Sequence, residues 1–349
     1  MTVLVKLVLL CAALVFVNCD KSSDNEDKPE LRITSITSYQ NHEGYIIPIG
    51  TKEYKYDENG KLYYASNEDT EGCGDIEYLK YADEDLLPDS IFFDHKTFGS
   101  IEERLSILDY DNGKISDIVT YKFDDDMNQI YLMTYSYTYN EDQLLTKFFV
   151  DTDGFTRDFV YHDQKLVERT DFNNKYRMIY ENDEIMNMED YRFVDWSKGH
   201  FVLDGKHYYS YGDNKIVEET YNLVSAETET KFQKTKYEYK GNKLTKITTY
   251  EYDDGEYKKF FWYDIYYNSS DCVTLVEIFM MNQAQTETIL VSKLELTYED
   301  GIGNYSEYYS IKNPEYNSTN MKKYFVGYQQ NIRGQSIKDS EQFIFELNN

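Results

Sequence analysis

Tyr54-Lys55-Tyr56-Asp57-Glu58-Asn59-Gly60-Lys61-Leu62 is the stretch that decides the fold. Its first three residues alternate aromatic, charged, aromatic, which places Tyr54 and Tyr56 on one face of a strand. Asp57 to Lys61 is a turn segment, and Gly60 occupies the position where a hairpin loop one residue longer than the tightest kind needs a left-handed backbone. Leu62 then begins the returning strand opposite Tyr56. The same arrangement recurs along the chain with one residue fewer in the loop, as Tyr81/Leu86, Tyr110/Ile115, Tyr139/Leu144, Tyr161/Leu166, Tyr180/Ile185, Tyr211/Ile216 and Tyr239/Leu244. Most of the central pairs are built from Asn, Asp and Gly, and Asn112-Gly113 is the strongest two-residue turn signal among them. In such a hairpin residues i and i+5 face each other, so each Tyr and its Leu or Ile form a cross-strand pair contributing roughly 0.2–1 kcal/mol.

Two residues before each tyrosine, on the same face, stand Tyr54, Leu79, Leu108, Tyr137, Phe159, Met178, Tyr209 and Tyr237, all apolar or aromatic. Weaker units follow at Tyr267, Tyr298 and Tyr328, and the step from unit to unit averages about 27 residues, the spacing of a supersecondary repeat. The first unit resembles the YD repeat of the RHS family, whose core reads Y-x-Y-D-x-x-G-x-L; the later units keep the tyrosine and the Leu or Ile. That resemblance implies a long antiparallel strand meander wound into a shell. Sheet physics points the same way. About eleven hairpins make a sheet too large to stay open and flat, and its aromatic face has to be buried. The expected fold is all-β, an antiparallel meander of about eleven hairpin repeats, rolled or superhelical. The alternative is two stacked sheets with a break near residues 187–206, where the rhythm is most interrupted.

The N-terminus reads as an export signal. Lys6 precedes the apolar run Leu7 to Val17, which has the length of a secretory h-region and is too short to span a bilayer as a helix. Asn18-Cys19 ends it, and an acidic, polar stretch runs from Asp20 to Lys28. A cysteine in that place followed by an acidic tether resembles a bacterial lipoprotein signal, specifically that of surface lipoproteins of the Bacteroidota, although Asn18 stands where Gly, Ala or Ser is usual. The resemblance implies lipidation at Cys19, a signal peptide over 1–18, a flexible tether over 19–30 and a hairpin-repeat domain over 31–349. The expected location is the outer membrane, facing the cell surface or the periplasm, with the membrane held through the lipid.

Composition agrees with a folded β protein. Of 349 residues, 37 are Tyr and 19 Phe but only 4 are Pro, a bias toward pleated, half-buried surfaces. The formal net charge is −28, a field that repels phosphate backbones and argues against nucleic acid as a partner. A solvated acidic surface is the first reading of that charge, and capture of cations the second. Cys73 and Cys272 remain beside the lipidated cysteine, and sequence leaves open whether they pair.

Motifs for chemistry are absent. The five histidines lack zinc spacing, no GxSxG or Gly-rich phosphate loop occurs, and Asp109 to Gly113 fails the calcium-loop pattern. No catalytic residue, metal site or cofactor is therefore expected. Two aromatic clusters stand out: Phe260 to Tyr267, holding Trp262 and Tyr263, and Tyr191 to Trp196. Each fills a core or forms an exposed platform, and on the second reading Trp262, Tyr263 and Trp196 are the candidate ligand-binding residues. The expectation is a non-enzymatic cell-envelope lipoprotein serving as a binding or scaffolding module for extracellular glycan or an envelope protein. The alternative is a hydrolase of extracellular polymer using a carboxylate pair.

Overall fold

The computed structural model describes residues 31–303, apart from 71, 83–86, 98–99, 125, 172, 182–183, 196–199, 227, 283 and 302. The lipidation position Cys19, the tether, Trp196 and the unit at Tyr328 lie outside the described residues. Among the described residues there are twenty strands. The first ten are β1 (Leu31–His42), β2 (Tyr45–Tyr56), β3 (Leu62–Asp69), β4 (Gly74–Lys80), β5 (Ser90–Thr97), β6 (Ser100–Asp111), β7 (Lys114–Phe123), β8 (Gln129–Tyr139), β9 (Leu145–Val150) and β10 (Thr156–His162). The second ten are β11 (Lys165–Thr170), β12 (Asn174–Glu181), β13 (Glu184–Asp195), β14 (His200–Gly212), β15 (Lys215–Ser225), β16 (Thr228–Lys240), β17 (Lys243–Asp253), β18 (Glu256–Tyr267), β19 (Val273–Met281) and β20 (Thr288–Asp300).

Each strand pairs antiparallel with its neighbours in sequence, and β20 pairs with β1 from Asp300↔Leu31 to Ser292↔Gln40. The meander therefore closes into a twenty-stranded barrel, with no open edge to recruit another chain. The expected roll is present, and it closes on itself where a superhelix would continue. Two stacked sheets are not formed: β13 and β14 pair from Asn187↔Tyr208 to Asp195↔His200, straight through the segment where a break was the alternative.

The repeat tyrosines end the even-numbered strands at one rim. Tyr110 faces Ile115 and Tyr211 faces Ile216, as the spacing predicts. The turns between them have the left-handed pairs Asn112-Gly113 and Asp213-Asn214. Two units depart from the expected register. Tyr139 faces Leu145, not Leu144, because Asn140 opens a five-residue loop closed by Asn140 N–H to the Leu144 carbonyl. Leu86 lies outside the described residues, and Tyr81 lies beyond the end of its strand: β4 ends at Lys80, which pairs with Ser90 at the start of β5.

A feature absent from the spacing argument appears in nearly every unit. Immediately after the Leu or Ile, the register slips by one residue, leaving a bulge at Tyr63, Ser116, Thr146, Val167, Met186, Val217, Thr245 and Thr274. Bulges bend the strand and increase its twist, which suits a sheet that has to curl. Beside seven of these eight bulges, all but that at Ser116, the next unit's tyrosine hydroxyl donates to the carbonyl of the Leu, Ile or Val before the bulge. Tyr81 donates to Leu62 (2.7 Å), Tyr180 to Leu166 (2.7 Å), Tyr239 to Ile216 (3.0 Å), Tyr267 to Leu244 (2.8 Å) and Tyr298 to Val273 (2.7 Å). Tyr161 and Tyr211 do the same to Leu145 and Ile185, and Tyr110 to Pro88, which stands in the leucine's place. The lysine before the Leu or Ile adds a second link, its ammonium lying over the next tyrosine ring: Lys61 over Tyr81, Lys114 over Tyr139, Lys215 over Tyr239 and Lys243 over Tyr267.

These contacts stack unit on unit around the rim and bury the Tyr/Leu face. A round barrel of this size would enclose a water channel. Here Leu62, Leu166, Ile185 and Ile247 have essentially no exposed surface, so this level of the interior is packed. Each such side chain contributes about 1.5–3 kcal/mol on burial. The opposite, outer face alternates with the inner one and carries charged residues such as Lys55, Asp109, Glu238 and Lys246. Cys73 and Cys272 sit in turns at opposite rims, β3–β4 and β18–β19, and a disulfide needs Cα atoms about 5.5 Å apart, so they do not pair.

Candidate functional site

Of the residues singled out from sequence, the two that are described, Trp262 and Tyr263, do not share a surface. Trp262 pairs across the sheet with Thr248 and Phe279 and points outward, while its chain neighbour Tyr263 points inward and packs on the core around Ile247 and Ile265. Adjacent residues of a strand face opposite ways, so these two do not share a surface. The indole is buried: it stacks on Phe279 (ring centroids 5.3 Å, 13° apart), its Nε1–H donates to Asp264 Oδ2 at 3.3 Å, and the Lys259 ammonium covers its ring.

A broader aromatic surface lies elsewhere, on the outer face of β3 to β8. Tyr64, Tyr78, Phe92, Leu105, Tyr121 and Tyr131 are direct cross-strand partners, one per strand. With neighbouring strands about 4.8 Å apart, the row runs roughly 24 Å. Tyr64 and Tyr78 meet edge to face at 5.7 Å, as do Tyr121 and Tyr131 at 6.2 Å. Leu105 is buried between its neighbours, whereas Tyr78 is 42% and Tyr131 48% exposed. Tyr63 and Ile107 are also exposed, Tyr63 being the bulge residue beside Tyr64. Lysines flank the row, Lys55 over the Tyr64 ring at 4.1 Å and Lys80 over Phe92 at 4.4 Å. Sequence inspection missed it because its members lie 10–16 residues apart, one on each of six strands. Only strand register aligns them.

The inner face holds a contrasting site. Below the tyrosine rim, His207 Nδ1 lies 2.7 Å from Glu219 Oε1, and both side chains are 1% exposed. The Tyr237 hydroxyl donates to the other carboxylate oxygen at 3.1 Å, and burial holds this phenol well above its ordinary pKa. The His207 ring stacks on Tyr221 (4.3 Å, 24°), whose ring lies where a side chain on Gly205 would have to stand, so only glycine fits there. Asp190, on the adjacent β13, has its pKa raised to about 6 by burial, an effect opposed by His207 and reinforced by Asp204 and Asp171. Glu219 is thus fully engaged and closed off, with no room beside it for a substrate atom. It is a structural polar knot, of the kind that buried charge requires.

No protein-family model matches the chain, and no curated protein matches it. Among solved structures, a protein of unknown function from Bacteroides fragilis is similar over 36% of this chain and 90% of its own length, at 12% identity and a TM-score of 0.30. A porin-like protein from Bacteroides uniformis is similar over 76% of this chain and 98% of its own, at 10% identity and a TM-score of 0.33. The TcdB2-TccC3 complex is similar over 72% of this chain at 10% identity and a TM-score of 0.33, and the match spans 20% of that much longer chain.

Proposed function

We propose that the protein is a cell-envelope lipoprotein, anchored through Cys19, whose barrel is a non-catalytic binding module for extracellular polysaccharide. The observation that carries this reading is the outer row from Tyr64 to Tyr131: partly exposed rings on a rigid sheet, in register over six strands, with no cavity required. Flat, exposed aromatic faces suit the apolar faces of pyranose rings, and amphipathic Tyr is favoured at such surfaces. The repeat tyrosines at the rim are not available for this, because their hydroxyls and rings are used between units. The hydrolase alternative gains no comparable support, since Glu219 is enclosed with its hydrogen-bonding groups occupied.

The test is polysaccharide binding by the full chain, measured by calorimetry against a panel of neutral microbial and host glycans. Tyr78→Ala and Tyr131→Ala are expected to weaken binding about tenfold each, equivalent to ~1.4 kcal/mol, with the β circular dichroism unchanged. Binding that survives both substitutions would remove the row from the account. Separately, Cys19→Ala is expected to abolish fatty-acid labelling and release the protein from membranes.

A further inference from the structure

A second sector of the outer face, on β16 to β18, has a different chemistry. In a chain of net charge −28, five lysines project there from three neighbouring strands: Lys231, Lys234 and Lys236 on β16, Lys246 on β17 and Lys259 on β18. Two carboxylates lie within ion-pair distance of three of them, and Glu238 on β16 acts on Lys259 from farther away. Glu218 lies 3.9 Å from Lys234 and 4.0 Å from Lys236, and Asp264 lies 2.6 Å from Lys246. Among the described residues no carboxylate is within ion-pair distance of Lys231 or Lys259. Both rest on aromatic rings instead, Lys231 between Tyr252 (5.4 Å) and Tyr257 (6.0 Å) and Lys259 over Trp262 (3.2 Å). Lys234 lies over Tyr257 at 4.5 Å, and Tyr252 and Tyr257 meet edge to face at 5.0 Å. The Tyr257 hydroxyl is buried and has no hydrogen-bond partner, an oddity in a side chain that ordinarily satisfies its O–H. Partial burial, and after it the neighbouring Lys246 ammonium, lower the Lys259 pKa against the opposing pull of Asp264 and Glu238, so a further anion beside this ammonium would be favoured.

We propose that this sector is a binding surface for an anionic polysaccharide, with carboxylate or sulfate groups meeting Lys231, Lys234 and Lys259 and sugar faces lying along Tyr252 and Tyr257. Charge complementarity and ring stacking together select the occupant: a local cationic field recruits polyanions over neutral chains, and the tyrosine rings between the ammonium groups favour a polyanion built of sugar rings. The alternation of ring and ammonium across a flat sheet matches a polymer that offers an apolar ring face and a charge in every residue. The surface is distinct from the row on β3 to β8 and does not depend on it.

The probe is polygalacturonate, compared with neutral dextran, with poly-glutamate and with a single-stranded oligonucleotide, using the full chain and Trp262 fluorescence together with calorimetry. Polygalacturonate is expected to bind, with affinity falling steeply between low and physiological salt. Lys231→Gln combined with Lys259→Gln should reduce that affinity at least tenfold, while Tyr78→Ala leaves it unchanged. Lys234→Gln alone should give a smaller loss, keeping the test independent of any effect of Lys259 on Trp262 packing. Three results would overturn the inference: no binding at low salt, binding unaltered by the lysine substitutions, or binding of poly-glutamate or the oligonucleotide as tight as that of the polyuronate.

Discussion

At the scale of the residue, the tyrosine that marks a repeat has up to three uses at once, and Tyr81, Tyr180, Tyr239 and Tyr267 show all three. Its ring is core, its face receives the preceding unit's lysine, and its hydroxyl closes on the preceding unit's carbonyl. The seam of the barrel supplies an internal control. Tyr56 is flanked by the sealing strand β1 in place of a preceding hairpin unit; its hydroxyl is buried without a hydrogen-bond partner and its ring lies under the Arg32 guanidinium at 4.8 Å. Tyr239→Phe is expected to lower stability by about 1 kcal/mol, the usual net value of such a bond. Tyr56→Phe should leave stability unchanged or raise it, and urea unfolding of the two variants would show whether the hydroxyl contact matters. Asp190 gives a second residue-scale expectation. Its folded pKa of about 6 lies above the unfolded carboxyl value, so its contribution is most favourable below about pH 4 and is lost as pH rises through 6. Asp190→Asn should therefore stabilise the protein by about 3 kcal/mol at pH 7, and the gain should shrink toward zero by pH 4 in thermal or urea melts.

The element that repeats is a hairpin with a choice of two loops. Where Asn or Asp and a compatible partner take the two central positions, as at Asn112-Gly113 and Asp213-Asn214, both residues are left-handed and the turn is two residues long. Where an Asn or Asp follows the tyrosine directly and its side chain caps the loop, five residues intervene. Asp57 Oδ1 accepts from the N–H groups of Asn59 and Lys61, Asn140 Oδ1 from Leu144, and Asn268 Oδ1 from Ser270 and Cys272. The fourth residue of these loops is left-handed: Gly60, Gln143 and Asp271. Gln143 holds a conformation that costs an L-residue with a Cβ about 1 kcal/mol or more, so Gln143→Gly is expected to raise the urea midpoint with no change in slope. Loop length at Tyr139 was in principle legible, because Asn140 is the same capping signal as Asp57. Tyr139/Leu144 shares the spacing of its neighbours because Leu144 and Leu145 both offer an apolar residue. The bulges were not legible at all: they fall on residues as unlike as Tyr63, Ser116 and Val217, with no shared side-chain chemistry.

For the whole molecule, closure is the decisive event. β1 is the strand that seals the barrel, paired on both sides and burying Ile33 and Ile36. A chain shortened to begin at Tyr45 should expose the edges of β2 and β20 and associate through them, which sedimentation would detect as oligomers where the full chain gives one species. The sequence by itself determined the strand content, the antiparallel meander, the face that is buried and most hairpin registers, because these follow from period-two patterning and turn chemistry within about ten residues. Closure, the bulges and both outer surfaces were decided only by tertiary structure. The pairing of β20 with β1 joins residues more than 250 positions apart, and nothing local in either strand names its partner. The aromatic row and the lysine sector are likewise sums over strands: each member is an ordinary outward-facing residue, and only the register of six or three neighbouring strands brings them side by side.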